Sequence, residues 1–200
     1  MPDPQFHYRR AETGDAEHLA RFINIAGEGL PYYLWQKMAE PGEDAWSVGR
    51  RRACREEGGF SYRNAHLALL GDDAAACLIG YPLDPVPEEI GGGVPAMFVP
   101  LMELENLARG SWYINVLATY PEFRGRGLGS RLLDIATDEA DRHRNSGLSL
   151  IVSDANDGAI RLYERRGFRR LAARPMVREN WDNPGQNWLL MVSSQAGESG

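Results

Sequence analysis

Apolar residues along this chain recur with two periods, and the order in which the periods alternate lays out the elements. FHYRRA is a short β-prone run. In TGDAEHLARFINIAGEG, which follows it, Leu19, Phe22, Ile23 and Ala26 repeat at the spacing of one helix face, after a Thr or Asp cap and before closing glycines. LPYYLWQKMA, with Pro31 near its start and EPG after it, predicts a second helix, and EDAWSVGRRRACREEGG a third that runs on to Gly58 and Gly59. Arg50, Arg51 and Arg52 on that third helix read as a solvated face.

The period then shortens. FSYRNAHLALL and AAACLIGYPL flank GDD, the pattern of two antiparallel strands about a tight turn. Asp84 to Gly110 is rich in Pro and Gly and is a long excursion, the length at which loops in compact domains become lids or binding loops. Within it, Pro100 precedes Leu101, Leu104, Leu107 and Ala108 at helical spacing, which predicts one short helix. SWYINVLAT is a strand rich in aromatic and β-branched residues, and Leu128, Leu132, Ile135, Ala136 and Ala140 mark one face of the helix after it. LSLIV, NDGAIRLYERRGF, RRLAARPMV and QNWLLMV complete the series as strand, short capped helix, strand and strand. The pattern is βαα(α)ββ, an excursion, then βαβαββ, an α/β chain without internal repeats.

Composition narrows the function classes. With 200 residues, 43% hydrophobic and 25% charged, the chain is long enough for one domain with a substantial core, expected over 1–193 with a flexible polar tail at 194–200. A net charge of -6 argues against a general nucleic-acid binder, so any basic site is local. Two cysteines, Cys54 and Cys77, lack metal-ligand spacing, and the four histidines form no motif. No metal is expected. Without a hydrophobic signal core or a membrane-length apolar run, the expectation is a soluble cytoplasmic protein with no membrane partner.

The chemistry concentrates in ATYPEFRGRGLGSRLLDIA, Ala118 to Ala136. Glycines at 125, 127 and 129 between a strand and a helix remove the Cβ atoms that would keep an anion from the backbone N–H groups, and the helix adds free N–H groups and its positive dipole end. Arg124 and Arg126 supply local positive charge. No Lys follows the glycines as a Walker loop requires, and GRGLG lies too late in the chain, after antiparallel strands, for a dinucleotide fingerprint. A plain glycine-rich turn with surface arginines stays open on this segment alone.

RGRGLG, Arg124 to Gly129, resembles the acetyl-CoA-binding motif of the GNAT superfamily of N-acetyltransferases: Arg or Gln, two residues, Gly, one residue, then Gly or Ala. NDGAIRLYERRGF, Asn156 to Phe168, is similar to the second cofactor motif of that family. The resemblance is close over Trp112 to Val177, and the N-terminal half matches in element order. It implies a GNAT acyl-CoA N-acyltransferase fold: a mixed, mostly antiparallel sheet of six to seven strands flanked by helices, with a V-shaped splay between the fourth and fifth strands.

The same resemblance implies acetyl-CoA as cosubstrate, held by the backbone at Leu117, Ala118 and Thr119, by the turn Arg124, Gly125, Arg126, Gly127, Leu128, Gly129 and Ser130, and by Asn156. It makes Tyr163 the acid that protonates the leaving thiolate. The base is not carried over, because SWYINVLAT lacks the Glu that many family members place there. Glu103 and Glu105 in the excursion helix are the carboxylates that could approach, and Tyr113 or Asn115 could hold a water. Tyr32, Tyr33, Trp35, Tyr62, Arg63, Met97, Phe98 and Met102 lie where the family builds its acceptor pocket, either as a cage for a cation or as ordinary core. The implied reaction is acetyl transfer to a primary amine, of a small molecule or of a protein, by direct attack in a ternary complex. A CoA-binding sensor without catalysis, and an interaction protein on the same scaffold, are the competing classes, and a homodimer stays open.

Overall fold

The computed structural model describes residues 5–194. Seven strands and six α-helices make a mixed α/β architecture whose strand pairing is antiparallel except between the fourth and fifth strands. Two compact units divide the chain: one holds the residues up to Gly80 together with Asn115–Leu133, the other Tyr81–Ile114 together with the residues from Asp134 onward.

In the first unit β1 (His7–Arg10), β2 (Ala65–Leu70) and β3 (Asp73–Pro82, which runs two residues into the second unit) form an antiparallel series. Helices α1 (Ala16–Ala26), α2 (Leu30–Met38) and α3 (Ala45–Ala53) belong to the same unit. The periodic residues of α1 do what their spacing predicts. Leu19, Phe22 and Ile23 are buried in a core shared with Trp35, Val48, Leu67, Leu69, Ile79, Val116 and Ala118. Helix α3 stops at Ala53, short of the Gly58 and Gly59 that the sequence suggested. Carbonyls beyond its end are taken by side chains instead: Ser61 Oγ donates to the Arg55 carbonyl (2.6 Å) and Asn64 Nδ2 to that of Gly58 (3.1 Å), so the backbone turns away from the helix axis.

The second unit carries α4 (Val99–Asn106), the first residues of β4 (Trp112–Thr119), most of α5 (Leu128–Arg142), β5 (Gly147–Ser153), α6 (Asp157–Arg165), β6 (Arg169–Pro175) and β7 (Asn187–Ser194). Strand β5 pairs antiparallel with β7 along its whole length, Gly147 opposite Ser194 through Ser153 opposite Trp188. Its parallel pairing with β4 covers only Trp112–Ile114 opposite Leu148–Leu150, although both strands run on, β4 to Thr119 and β5 to Ser153. Strand β5 is apolar nearly throughout, as a strand flanked by two others with helices on its unit must be. Ser194 closes β7, and the remainder of the expected polar tail, 195–200, lies outside the described residues.

Gly147 is the position where the backbone permits least change. Its φ is +136°, and a Cβ built there would sit 2.1 Å from the Ser193 carbonyl oxygen across the β5–β7 ladder. Both the strain and the clash fall on backbone that has no slack, so Gly147→Ala is expected to destabilise the protein by about 3 kcal/mol in urea unfolding. A loss below about 0.5 kcal/mol would mean that the ladder relaxes around the methyl group.

Candidate functional site

Strand β4 alternates as a half-buried strand should: Val116 and Ala118 enter the core of the first unit, while Asn115, Leu117 and Thr119 are half-exposed on the other face. Tyr120 anchors the end of the strand. Its N–H donates to the Ala75 carbonyl (2.9 Å), its ring lies 4.2 Å from that of Phe22, and its hydroxyl meets His18 Nδ1 at 3.1 Å. Burial pushes this phenol up to about 12, so it stays neutral.

From that anchor Pro121–Phe123 makes a single 3₁₀ turn, and Gly125 (φ +76°) and Gly127 (φ +77°) bend the chain through the left-handed region into α5. A Cβ added at either glycine would meet nothing within 4 Å, so the space above the turn is open, and the positive φ is what calls for Gly. The N–H of Arg131 bonds back to the Gly127 carbonyl (3.1 Å), and the N–H groups of Leu128, Gly129 and Ser130 before it are helix-terminal amides without an intrahelical acceptor. The arrangement suits an anion. The arginines brace the loop: Arg124 Nε reaches the Thr119 carbonyl at 3.4 Å, and the Arg126 guanidinium stacks over Phe123 at 5.6 Å.

In the second unit Asn156 caps α6 by accepting the Ala159 N–H on its Oδ1 (3.1 Å). Tyr163 is buried at 6% exposure and packs against Phe168, ring centres 5.6 Å apart. Two bonds, Phe168 N–H to the Tyr163 carbonyl (3.0 Å) and Gly167 N–H to that of Glu164 (3.1 Å), close the helix as a Schellman turn and fix the ring position. Burial raises the Tyr163 phenol above its ordinary value, so it carries its proton at neutral pH.

The two excursion carboxylates part company. Glu103 pairs with Arg174 of β6, Nε to Oε2 2.6 Å. Glu105, two residues on, is desolvated, and burial raises its carboxyl to about 7, with Glu88 adding to the rise and Arg109 and the Tyr113 hydroxyl opposing it. Tyr113 on β4 is 5% exposed and meets Tyr81 edge-on, ring centres 5.8 Å apart. Burial holds both phenols above their ordinary range, so both are neutral donors near Glu105. Of this group the sequence singled out Glu105 and Tyr113. Tyr81, Glu88, Asn106 and Arg109 escaped it, and the one available signal was the four-residue spacing of Glu105 and Arg109 across the end of a helix.

Of the aromatic residues left open between a cation cage and ordinary core, several fall on the side of core. Trp35 is core at 4% exposure, Tyr32 and Trp46 pack on it, and Arg21 already lies over Trp46 at 5.6 Å, as Lys37 does over Tyr33 at 4.5 Å. Met97 is buried, and Arg63 pairs with Glu56 (3.0 Å). Cys77 is buried with its thiol raised by desolvation, and Cys54 is exposed at the end of α3. Among the described residues no group of three His, Cys, Asp or Glu is placed to hold a metal ion, and no helix is long and apolar enough to cross a membrane.

A mycothiol acetyltransferase of Acidimicrobium ferrooxidans is 49% identical over 55 residues, 28% of this chain and 18% of that protein. N-alpha-acetyltransferase 30 of Saccharomyces cerevisiae is 36% identical over 59 residues, 30% of this chain and 34% of that one. The matched stretches thus span less than two thirds of either relative. The crystal structure of the ribosomal-protein-S18-alanine N-acetyltransferase of Escherichia coli superimposes with a TM-score of 0.58, covering 98% of both chains at 20% identity, a likeness of fold. The model of the acetyltransferase (GNAT) family matches residues 31–168, well over half the chain and inclusive of the glycine turn, Glu105, Asn156 and Tyr163, and the protein belongs to that family.

Proposed function

We propose that this protein transfers an acetyl group from acetyl-CoA to a primary amine by direct attack of the amine on the thioester within a ternary complex. The observation that carries the reading is the turn into α5: open space above two left-handed glycines, three helix-terminal amides and a dipole end, in a chain of net charge -6. These amides would bind the pyrophosphate. The half-exposed edge at Leu117 and Thr119, with Ala118 between them, would offer backbone groups to the pantetheine amides, as would Asn156.

An ammonium cannot attack a carbonyl, so the acceptor must first lose a proton. Glu105 takes that role. A carboxyl titrating at about 7 is half ionised at neutral pH and is a stronger base than an ordinary Glu. The ion pair of Glu103 with Arg174 leaves Glu105 as the better placed of the two. The nitrogen lone pair then attacks the thioester carbon, the C–S bond breaks, and the thiolate takes the phenolic proton of Tyr163, which burial keeps protonated until it is needed. The second proton lost from nitrogen restores the Tyr163 phenol, and Glu105 releases the first to solvent, so one proton is released per turnover. Neither cysteine enters the scheme: Cys77 is buried and protonated, and Cys54 lies at the end of α3. The relatives named for N-acetylation support an amine acceptor.

Three variants separate the parts. Gly127→Leu should weaken acetyl-CoA binding at least about tenfold while circular dichroism stays that of the parent, since the added side chain fills the cradle and strains a positive φ; unchanged affinity removes the cradle. Tyr163→Phe should lower kcat by about 100-fold with acetyl-CoA affinity retained, and full turnover would exclude Tyr163 as the acid. Glu105 must be ionised to act, so kcat/KM should rise through pH 7 and level above it. Glu105→Gln should abolish that limb and lower kcat/KM by about 100-fold against an amine panel followed by thiol release. Tight acetyl-CoA binding without thiol release from any amine would identify a CoA sensor instead.

A further inference from the structure

The excursion between β3 and α4 is tied to the end of α4 at Glu88. The Asn106 side chain grips the backbone of Glu88 on both sides, Oδ1 accepting the Glu88 N–H and Nδ2 donating to its carbonyl, each at 2.9 Å. The same Oδ1 accepts from Arg109, Nε at 2.9 Å and Nη2 at 2.6 Å, while Arg109 Nη1 lies 3.5 Å from Glu88 Oε1. The Arg109 side chain is only 7% exposed, whereas that of Glu88 is 63% exposed. A guanidinium so deeply buried is costly unless its charge is used, and here it has two carboxylates within electrostatic reach: Glu88 and, one helical turn back, Glu105.

We infer that Glu88, Asn106 and Arg109 form a clip that fixes the excursion to the end of α4 and brings one positive and one negative charge to bear on the Glu105 carboxylate, making Arg109 and Glu88 positioning residues for that base. The inference rests on the reading of Glu105 as the base.

Charges of both signs and neutral donors face Glu105. Arg109 follows it on the same segment, Glu88 comes from the excursion, and Tyr113 on β4 and Tyr81 at the end of β3 present neutral phenols. Arg174 on β6 is spent on Glu103. Burial by itself would favour the protonated carboxyl, Arg109 favours the ionised form, and Glu88 disfavours it. The clip holds both charges at once, so the contact that fixes the excursion also sets how basic Glu105 is. A loosened clip would carry Glu88 away with the excursion and leave Arg109 to act on Glu105 alone, which would favour the carboxylate.

The two charge deletions have opposite signs, which a merely structural defect would not reproduce. Arg109→Gln should move the acid limb of kcat/KM to higher pH and Glu88→Gln should move it to lower pH, Arg109→Gln by about half a unit and Glu88→Gln by less because its carboxylate is exposed to solvent. Glu88 is a surface position, so its variant keeps the test alive if Arg109→Gln does not fold. The titration of Glu105, followed by carboxyl ¹³C NMR in the two variants and the parent, reads the same shifts without turnover. Opposed shifts in that titration establish the clip, including the case in which Glu105→Gln retains the acid limb and the base must be sought elsewhere. A Glu105 titration that stays put, or moves the same way, in both variants overturns it, whatever Glu105→Gln does to the rate.

Discussion

An α-helix cannot bond its own first N–H groups, and this structure places that deficit at Leu128, Gly129 and Ser130, at the end of a strand and under open space. The surrounding residues serve to hold those amides in place. Tyr120 is clamped by the Ala75 carbonyl, the Phe22 ring and His18, Pro121–Phe123 makes one tight turn, and Gly125 and Gly127 turn the backbone through angles that other residues resist. Arg124 and Arg126, which in sequence look like anion ligands, tie the loop to the Thr119 carbonyl and the Phe123 ring. Amides aimed in advance in this way would lose little entropy on meeting an anion.

In the second unit the marked feature is the burial of two titratable groups. Tyr163 and Glu105 are both desolvated, which keeps the phenol protonated and raises the carboxyl to about 7. Only Glu105 has charges of both signs bearing on it, and its value near 7 reflects burial first, moderated by Arg109. Glu103 shows how much local partnering matters. It lies on the same helix only two residues away and is engaged in an ion pair with Arg174.

The periodic apolar residues were enough to place six helices and seven strands in order, because burial of one face is a local property of spacing. Leu19, Phe22 and Ile23 do face a core, and RGRGLG does form the strand-to-helix turn its glycines imply. The end of α3 was misjudged because Ser61 and Asn64, eight and eleven residues past that end, take the carbonyls that would have continued it. The aromatic cluster near Trp35 was ambiguous for the same kind of reason. Whether a ring lines a pocket or fills a core depends on what packs against it, and here Arg21 and the core do.

The sequence by itself thus determined the element order, the glycine turn and the cap at Asn156, since each depends on neighbours within a turn or two of the chain, and it offered Glu103 and Glu105 as candidate carboxylates. Tertiary structure alone gave those carboxylates different surroundings. The raised carboxyl at Glu105 comes from burial, with Glu88 adding to it and Arg109 and the Tyr113 hydroxyl opposing, and the ion pair at Glu103 from Arg174, 71 positions along the chain. Electrostatic environment is set by distance through space, which the spacing of residues along a chain does not encode.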